Sequence, residues 1–287
     1  MATSPALVLG VVGCGAMGRG ISQIAAQAGI TVRLFDARPE GAAEARAAIA
    51  GALERLVAKG KIAAADAAAA VERLCVCHGL EAMAGCDVVV EAIVEELEAK
   101  RALLRALEPI VGEGCILATN TSTLSVIELA METSRPERVC GVHFFNPAPA
   151  MTLVEIVRPL CASDETIDAV TAFAQACGKE PVIVKDQAGF VVNALLFPYL
   201  NNAVRLLEQG VATKEGIDVA MKGGCGFPMG PFALLDLVGL DTSLAILEAL
   251  YAEFADPNFA PVPLLRRMVS AGQLGRKSGR GFYDYRR

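Results

Sequence analysis

Tryptophan is absent from this 287-residue chain, aromatic side chains make up only 5% of it, and the only histidines are His78 and His143. Positive charge is not in excess either, because 26 lysines and arginines stand against 32 aspartates and glutamates, for a formal net charge of −6. Such a chain has no overall field to attract nucleic acid or an anionic membrane. An anionic ligand therefore needs a local basic cluster, and a histidine-based reaction has two candidate residues.

Long apolar runs are also missing, although hydrophobic residues make up 54% of the chain. No run approaches the ~20 residues of a transmembrane helix, and residues 1–5 lack the basic region that opens a secretory signal peptide. The nine cysteines are scattered and odd in number, which is typical of reduced thiols. We therefore expect a cytoplasmic protein with neither a membrane nor a nucleic acid as partner.

One cluster of soft ligands needs a separate interpretation. Cys75, Cys77 and His78 lie close together and are residue types that bind zinc. The only further histidine is His143, and no second cysteine pair has ligand spacing. A buried strand followed by a loop explains the cluster better, so we predict no metal site.

A glycine motif follows the first strand-like run. Gly13, Gly15 and Gly18 fit G-x-G-x-x-G, a helical pattern comes next, and a second strand ends in Asp36. In a dinucleotide site these glycines allow a tight turn, a close approach to the pyrophosphate and close packing of the helix on the strand. The alternative is a glycine turn without a ligand. Asp36 suits a ribose diol and would repel a 2′-phosphate, so we predict NAD rather than NADP. Arg38 weakens that preference unless it is an ordinary surface arginine.

Strand-like and helical patterns alternate as far as Asp186. The predicted strands are residues 7–12, 31–35, 87–90, 115–119, 139–143, 153–157 and 181–184. The predicted helices are 16–28, 96–110 and 165–177, with an alanine-rich helical hairpin inserted over 39–74 and joined at Gly60. This alternation predicts an α/β fold with a Rossmann-like, doubly wound, mostly parallel sheet.

Beyond Asp186 we find only helical patterns, over 190–208, 213–221, 231–237, 244–254 and 264–271. We therefore predict a dinucleotide-binding domain over 1–186 and a smaller all-α domain over 187–287, which binds substrate and forms a dimer interface. Apolar segments such as 234–238 and 244–247 suggest a homodimer through these helices, although a compact bundle core would show the same pattern.

His143 is the better candidate for a catalytic base. A base that removes a hydroxyl proton needs a pKa near the working pH, and histidine, at roughly 6.5, suits this. His143 ends an apolar strand, where ligands bind in an open α/β sheet. A lone histidine there would more often be a core residue. Glu155 lies within another apolar run and is a natural partner, because a buried carboxylate is costly unless paired. Its alternative is an edge strand with Glu155 facing water.

Polar residues at two other places complete the predicted site. Ser122 and Asn120 follow a strand, where a hydroxyl and an amide can hold a ligand, although capping of the next helix explains them as well. Asn193 lies near the start of the first C-terminal helix and is unremarkable alone. Arg55 and Lys59 lie at the tip of the predicted hairpin, where the alternative is solvated surface charge.

Segments along nearly the whole chain resemble the L-3-hydroxyacyl-CoA dehydrogenases, most of all the bacterial 3-hydroxybutyryl-CoA dehydrogenases. The matching segments are residues 13–18, 90–93 with Glu95 and Lys100, 118–122, 143–147, 153–155, 189–193, 229–231 and 275–283. The His-Phe-Phe-Asn-Pro segment at 143–147 and the Gly-Arg-Lys-Ser-Gly-Arg-Gly-Phe segment at 275–282 are particularly specific.

The resemblance implies a role for each matching residue. It implies that His143 is the base, that Glu155 is its partner, and that Ser122 and Asn193 hold the 3-oxygen of the substrate and the catalytic histidine. It also implies that Arg55 and Lys59 lie near the coenzyme A nucleotide. The expected cofactor contacts are Gly13, Gly15, Ala16, Met17, Gly18, Asp36, Glu95, Lys100, Asn120, Ser122, Asn146 and Lys277.

The expected reaction is hydride transfer between NAD and C3 of a short (S)-3-hydroxyacyl-CoA. One alternative changes the substrate to 3-hydroxyadipyl-CoA or a longer chain. Another changes the class, to a non-catalytic NAD-binding protein of the same fold, since fold alone does not give function. The presence of His143, Glu155, Ser122 and Asn193 together argues against this second alternative.

Overall fold

The computed structural model describes residues 7–286, and the chain divides into two compact units, the first ending at Asp186 and the second beginning at Gln187. The strands of the first unit are β1 (Val8–Val12), β2 (Thr31–Phe35), β3 (Leu74–Val76), β4 (Val88–Glu91), β5 (Ile116–Thr119), β6 (Val139–Phe144), β7 (Leu153–Arg158) and β8 (Glu180–Lys185). Its helices are α1 (Ala16–Gln27), α2 (Gly41–Ala58), α3 (Ala64–Glu72), α4 (Leu97–Leu107), α5 (Val126–Ala130) and α6 (Asp164–Ala176).

The eight strands form one sheet in the order β3-β2-β1-β4-β5-β6-β7-β8. Strands β1 to β6 are parallel to one another, β7 is antiparallel to β6, and β8 is parallel to β7. The prediction of a doubly wound, mostly parallel sheet is confirmed. The reversal at β7 was not predicted, because an apolar run does not reveal strand direction.

Each face of the sheet carries its own hydrophobic core, because side chains alternate along a strand. On β1, Leu9 and Val11 belong to the cluster that includes Ile21 of α1, Leu53 of α2 and Phe173 of α6. The next side chain along β1, that of Val12, belongs to the cluster on the other face, which includes residues of α4 and α5. Because helices pack on both faces of the sheet, the ends of the strands are the places where a ligand can approach it.

The carboxyl ends of β1, β4, β5 and β6 lie at the same edge of the sheet, because these four strands are adjacent and parallel. Strand β6 is three places from β1, a separation of about 14 Å at ~4.8 Å per strand. The segments that follow these four strands therefore line one short edge.

The predicted helical hairpin is confirmed as α2 and α3, but the prediction extended it two residues too far. Residues 74–76 form β3, which pairs with β2 and places Cys75 on a strand, with Cys77 and His78 just after it. Within residues 7–286, no group of three or more His, Cys, Asp or Glu side chains is placed to hold a metal ion. No helix of this described range is both long and apolar enough to cross a membrane.

The second unit contains the helices α7 (Val192–Glu208), α8 (Lys214–Cys225), α9 (Pro231–Val238), α10 (Leu240–Phe254) and α11 (Pro263–Ser270). Its core includes Leu235 and Leu247, which are at most 1% exposed. Much of the apolar character of segments 234–238 and 244–247 therefore belongs to the bundle core. Leu237, by contrast, is half exposed.

Gly18 fixes the packing of α1 on β1. A Cβ atom at this position would lie 1.8 Å from the carbonyl oxygen of Gly13, which is backbone and cannot rotate away. We expect Gly18→Ala to destabilise the protein by about 1–3 kcal/mol, the usual cost of overpacking. Gly223→Ala is the control, since a Cβ there meets nothing within 4 Å in α8. Urea unfolding measures both, and equal stabilities for the two variants would contradict this account.

Candidate active site

His143 and Glu155 form a buried pair. They lie directly opposite each other on the antiparallel strands β6 and β7, where side chains on one face meet. The distance from His143 Nδ1 to Glu155 Oε2 is 2.7 Å. A charge-assisted hydrogen bond of this kind fixes the orientation of the ring and stabilises an imidazolium.

Glu155 is 0% exposed and His143 is 6% exposed. The interpretation of Glu155 as a water-facing residue on an edge strand is wrong, because β8 pairs with β7 on its other side. A buried carboxylate without a partner would destabilise the fold by several kcal/mol. The imidazole of His143 therefore stabilises Glu155, and Glu155 in turn orients the imidazole.

The strand end that carries His143 is itself held in place. Asn120, which follows β5, accepts a hydrogen bond through Oδ1 from the backbone N–H of Phe144 at 3.0 Å. The ring of Phe145 lies against the imidazole of His143, with 4.4 Å between their centroids. Asn120 was predicted from the resemblance to contact a cofactor, and in the structure its side chain also positions the end of β6.

A second buried pair lies at the end of β4. The ammonium of Lys100, on α4, donates to both carboxylate oxygens of Glu91, at 2.8 and 2.9 Å. Both side chains are 1% exposed. The hydroxyl of Thr119 and the N–H of Ile93 also donate to Glu91, so its charge is well satisfied.

Lys100 also connects this pair to the loop that carries Ser122. Its Nζ lies 3.3 Å from Oε2 of Glu95. Oε1 of Glu95 accepts from the N–H of Ser122 at 2.8 Å, from the Ser122 hydroxyl at 3.3 Å and from the Thr121 hydroxyl at 2.6 Å. Burial raises the pKa of Glu95, but Lys100 and these hydrogen bonds outweigh it and hold the pKa below its usual value. Glu95 therefore stays ionised and anchors the loop.

The ammonium of Lys100 is buried against two carboxylates, those of Glu91 and Glu95. Both Glu95 and Lys100 were predicted as cofactor contacts, yet the ammonium of Lys100 is enclosed by two carboxylates. It acts by holding Glu95. Glu91 was not among the predicted site residues, although its signal is similar to that of Glu155: Glu91 is a single acid at the end of an apolar run, and Glu155 is a single acid within one.

The glycine loop and Asp36 are brought together. The N–H of Cys14 donates to Oδ2 of Asp36 at 2.7 Å, so the acid at the end of β2 lies beside the turn after β1. Gly13 has φ of 94°, a conformation that favours glycine. A Cβ at Gly15 would meet nothing within 4 Å, so this backbone faces open space at the start of α1. Ala16 and Met17 follow in the first turn of the helix.

An NAD molecule fits this arrangement. The free N–H groups at the start of α1 and the positive end of its dipole suit a pyrophosphate, and the carboxylate of Asp36 suits a ribose diol. The side chain that any other residue would carry at Gly15 would extend into the space that such a ligand needs.

Other predicted residues lie apart from these groups. Arg55 and Lys59 are exposed at the end of α2, and no ion pair of either is found within the described range. Asn146 lies in the exposed loop after β6. Asn193 and Lys277 belong to the second unit. Asn193 is 7% exposed in the first turn of α7, and the Nζ of Lys277 lies 2.6 Å from Asp241.

Two family profiles match the chain almost from end to end. The NAD-binding domain of 3-hydroxyacyl-CoA dehydrogenase matches residues 8–187, and the C-terminal domain of the same enzyme matches residues 189–285. The chain belongs to the 3-hydroxyacyl-CoA dehydrogenase family. The resemblance noted from the sequence motifs is confirmed.

Individual relatives cover the chain equally well. A probable 3-hydroxybutyryl-CoA dehydrogenase of Bacillus subtilis is 46% identical over 96% of this chain and 96% of its own. The mitochondrial hydroxyacyl-coenzyme A dehydrogenase of Sus scrofa is 43% identical over 96% of this chain and 90% of its own. The crystal structure of (S)-3-hydroxybutyryl-CoA dehydrogenase PaaH1 from Ralstonia eutropha is 45% identical, covers 98% of this chain and 99% of its own, and superposes with a TM-score of 0.95.

The C-terminal segment that resembles this dehydrogenase family has a structural explanation in the second unit. The buried carboxylate of Asp236 accepts from the backbone N–H groups of Phe282 and Tyr283, both at 2.8 Å. A Cβ at Gly281 would lie 2.0 Å from Asp236 Oδ1, so only glycine allows this approach. Much of the segment's specificity therefore serves folding.

Removal of Lys100 tests the second buried pair. We expect Lys100→Met to destabilise the protein by about 3–5 kcal/mol, because Glu91 would remain buried without its cation. Adding Glu91→Met should recover most of this loss. The control is Arg105→Met, which breaks a pair of a 56% exposed arginine with Glu132 and should cost under about 1 kcal/mol. Chemical denaturation measures all three, and equal losses for Lys100→Met and Arg105→Met would refute the assignment.

Proposed function

We propose that this protein is an NAD-dependent oxidoreductase that transfers a hydride between the cofactor and C3 of a short-chain (S)-3-hydroxyacyl-CoA. The observation that carries the proposal is the buried His143–Glu155 pair, 2.7 Å between heavy atoms, at the edge of the sheet where the glycine loop also ends. A protein that only stored or sensed the nucleotide would have no use for a base paired with a carboxylate there.

His143 is the general base. Nδ1 is the nitrogen that Glu155 holds, so the substrate proton moves at Nε2. In the oxidation, the O–H bond of the 3-hydroxyl breaks and its proton goes to Nε2, while the C3–H bond gives up a hydride and the C3 carbonyl forms. When bound, NAD⁺ would supply the hydride acceptor for the oxidation, and NADH would supply the hydride for the reduction. The imidazolium that results is stabilised by the carboxylate of Glu155.

The remaining side chains position the reactants. Ser122 and Asn193 hold the 3-oxygen, and fixed orientation of this kind accounts for a large part of an enzymatic rate. Glu95 supports that function by fixing the loop of Ser122 through its N–H at 2.8 Å. The resemblance also assigns cofactor contacts to Asn146 and to Lys277. Residues 1–186 form the dinucleotide-binding domain, and residues 187–287 form the substrate and dimerisation domain.

Two ligand preferences complete the proposal. NAD is preferred over NADP, because Asp36 would repel a 2′-phosphate. The exposed Arg55 and Lys59 at the end of α2 bind the phosphates of coenzyme A, since an acidic chain must provide local cations for such a ligand.

A cytoplasmic location agrees with the state of the cysteines. All nine are free thiols. Burial raises the pKa of Cys14, Cys115, Cys140 and Cys177 to about 12, which keeps them protonated and unreactive. Such thiols suit a reducing compartment.

Replacement of His143 tests the mechanism. We expect His143→Gln to lower kcat for acetoacetyl-CoA reduction by about a thousandfold, the usual contribution of a general base, with little change in NADH affinity. His78→Gln is the matched control and should keep the wild-type rate, because His78 lies in the loop after β3. A His143→Gln enzyme with the rate of the control would overturn the base assignment.

The proposed substrate has a short acyl chain. Relatives named for hydroxybutyryl-CoA support the short substrate, whereas the 43% identical Sus scrofa relative has the broader hydroxyacyl name. We expect the highest kcat/KM on 3-hydroxybutyryl-CoA, with kcat/KM for the 3-hydroxyhexanoyl compound at least about tenfold lower. One or two additional methylene groups change kcat/KM by about this factor when the acyl pocket fits its substrate closely. Fastest turnover of 3-hydroxyadipyl-CoA would favour the dicarboxylate alternative.

We also propose a homodimer through the helices of the second unit. Leu195 on α7 is 72% exposed and Val219 on α8 is 67% exposed, and large apolar side chains in such positions suit an interface. Sedimentation equilibrium should give twice the mass of one chain. Leu195→Asp should shift this equilibrium toward the single chain, and a wild-type protein that stays monomeric at all concentrations would refute the proposal.

A further inference from the structure

Three charged side chains meet where β2 leads into α2. Nε of Arg38 lies 3.4 Å from Asp36 Oδ1, and its guanidinium nitrogen NH1 donates to Glu44 Oε2 at 3.2 Å. Glu44 is the fourth residue of α2, so its position is fixed by the helix. Arg38 lies on the exposed turn between the two elements. The only cation of this turn is therefore attached to two carboxylates.

The Asp36 side chain is held by backbone hydrogen bonds, whereas the Arg38 side chain is largely exposed. The Asp36 side chain is 12% exposed, and its two oxygens accept from the backbone N–H groups of Cys14 and Arg38, at 2.7 and 2.9 Å. A Cβ at Gly41 would lie 2.5 Å from the Asp36 carboxyl carbon, so α2 begins in direct contact with this acid. Arg38, by contrast, is 65% exposed, and Glu44 is the anchor at the far end of its side chain.

An arginine at this place has a clear chemical use. In dinucleotide folds the acid at the end of the second strand binds the ribose diol, whereas a nearby arginine accommodates a 2′-phosphate. A guanidinium binds phosphate through paired hydrogen bonds. This chain carries both side chains, with Asp36 just after β2 and Arg38 two residues later.

We propose that Glu44 is a specificity-determining residue, which disfavours NADP by holding the Arg38 guanidinium away from a 2′-phosphate. This inference rests on the cofactor assignment of the proposed function and deepens it. The exclusion has two separable parts, a fixed one from Asp36 and a removable one from Glu44.

The contribution of Glu44 to the exclusion of NADP depends on how exposed its ion pair with Arg38 is. Glu44 is 62% exposed and Arg38 is 65% exposed, and pairs of this kind are weak and screened by salt. Release of Arg38 should therefore change affinity for a 2′-phosphate by about two- to fivefold. The change should shrink at high ionic strength, because the 2′-phosphate and the freed guanidinium are both in contact with solvent.

The experiment measures binding of nucleotides that lack the nicotinamide. Isothermal titration gives the Kd of 2′,5′-ADP and of ADP for the wild-type protein, Glu44→Gln and Glu40→Gln. Glu40 is exposed, lies four residues before Glu44 and makes no ion pair in the described part of the chain. Its substitution removes the same charge without releasing Arg38. We expect Glu44→Gln alone to bind 2′,5′-ADP about two- to fivefold more tightly, with the Kd of ADP little changed.

The same titrations on Arg38→Gln and on the Arg38→Gln/Glu44→Gln double variant complete the cycle. The gain should be absent when Arg38 is missing. An equal gain in Glu40→Gln, or a gain that persists without Arg38, would overturn the inference while leaving the cofactor site intact. A wild-type protein that bound neither ADP nor 2′,5′-ADP would contradict the cofactor assignment as well.

Discussion

The structure depends on the rule that a buried charge must have a partner. Glu155 has no exposed surface, and its partner is the imidazole directly opposite it on the neighbouring strand. If β7 slipped by one residue against β6, Glu155 would move to the other face of the sheet and leave His143 without a carboxylate. The strand register that buries the hydrophobic cores is therefore the same register that assembles the His143–Glu155 pair, the proposed catalytic pair.

The same rule applies again at the end of β4. Glu91 and Lys100 neutralise each other in the interior. Lys100 also pairs with Glu95, which in turn accepts a hydrogen bond from the backbone N–H of Ser122. Stability and positioning are thus linked, because the charges that are expensive to bury are those that hold the site residues in place. The parallel strands β1, β4, β5 and β6 bring the glycine loop, Glu91, Asn120 and His143 to one edge.

Most of the fold could be predicted from the sequence, because the glycine motif, the alternating apolar runs and the change to helices after Asp186 are local signals. Strand β3 has only three residues and pairs with the free edge of β2; the sequence indicated it only through the interpretation of Cys75, Cys77 and His78 as a buried strand followed by a loop. The reversed direction of β7 results from its pairing with β6, and no pattern in its own sequence indicates it. For the site, His143 and Glu155 could be singled out, whereas Glu91 was passed over although it ends the apolar run of β4. The burial of Lys100 depends on α4 packing against the sheet.

In the proposed mechanism, Glu155 holds Nδ1 of His143 so that the substrate proton moves at Nε2. Nitrogen-15 NMR of the imidazole rings tests this arrangement, with His143→Gln used to assign the signals. When the His143 imidazole is uncharged, we predict that it carries its proton on Nδ1. In Glu155→Gln we predict that this tautomer is lost or exchanges with the tautomer protonated on Nε2. A ring protonated on Nε2, with the same spectrum in the presence and absence of the Glu155 carboxylate, would contradict the account.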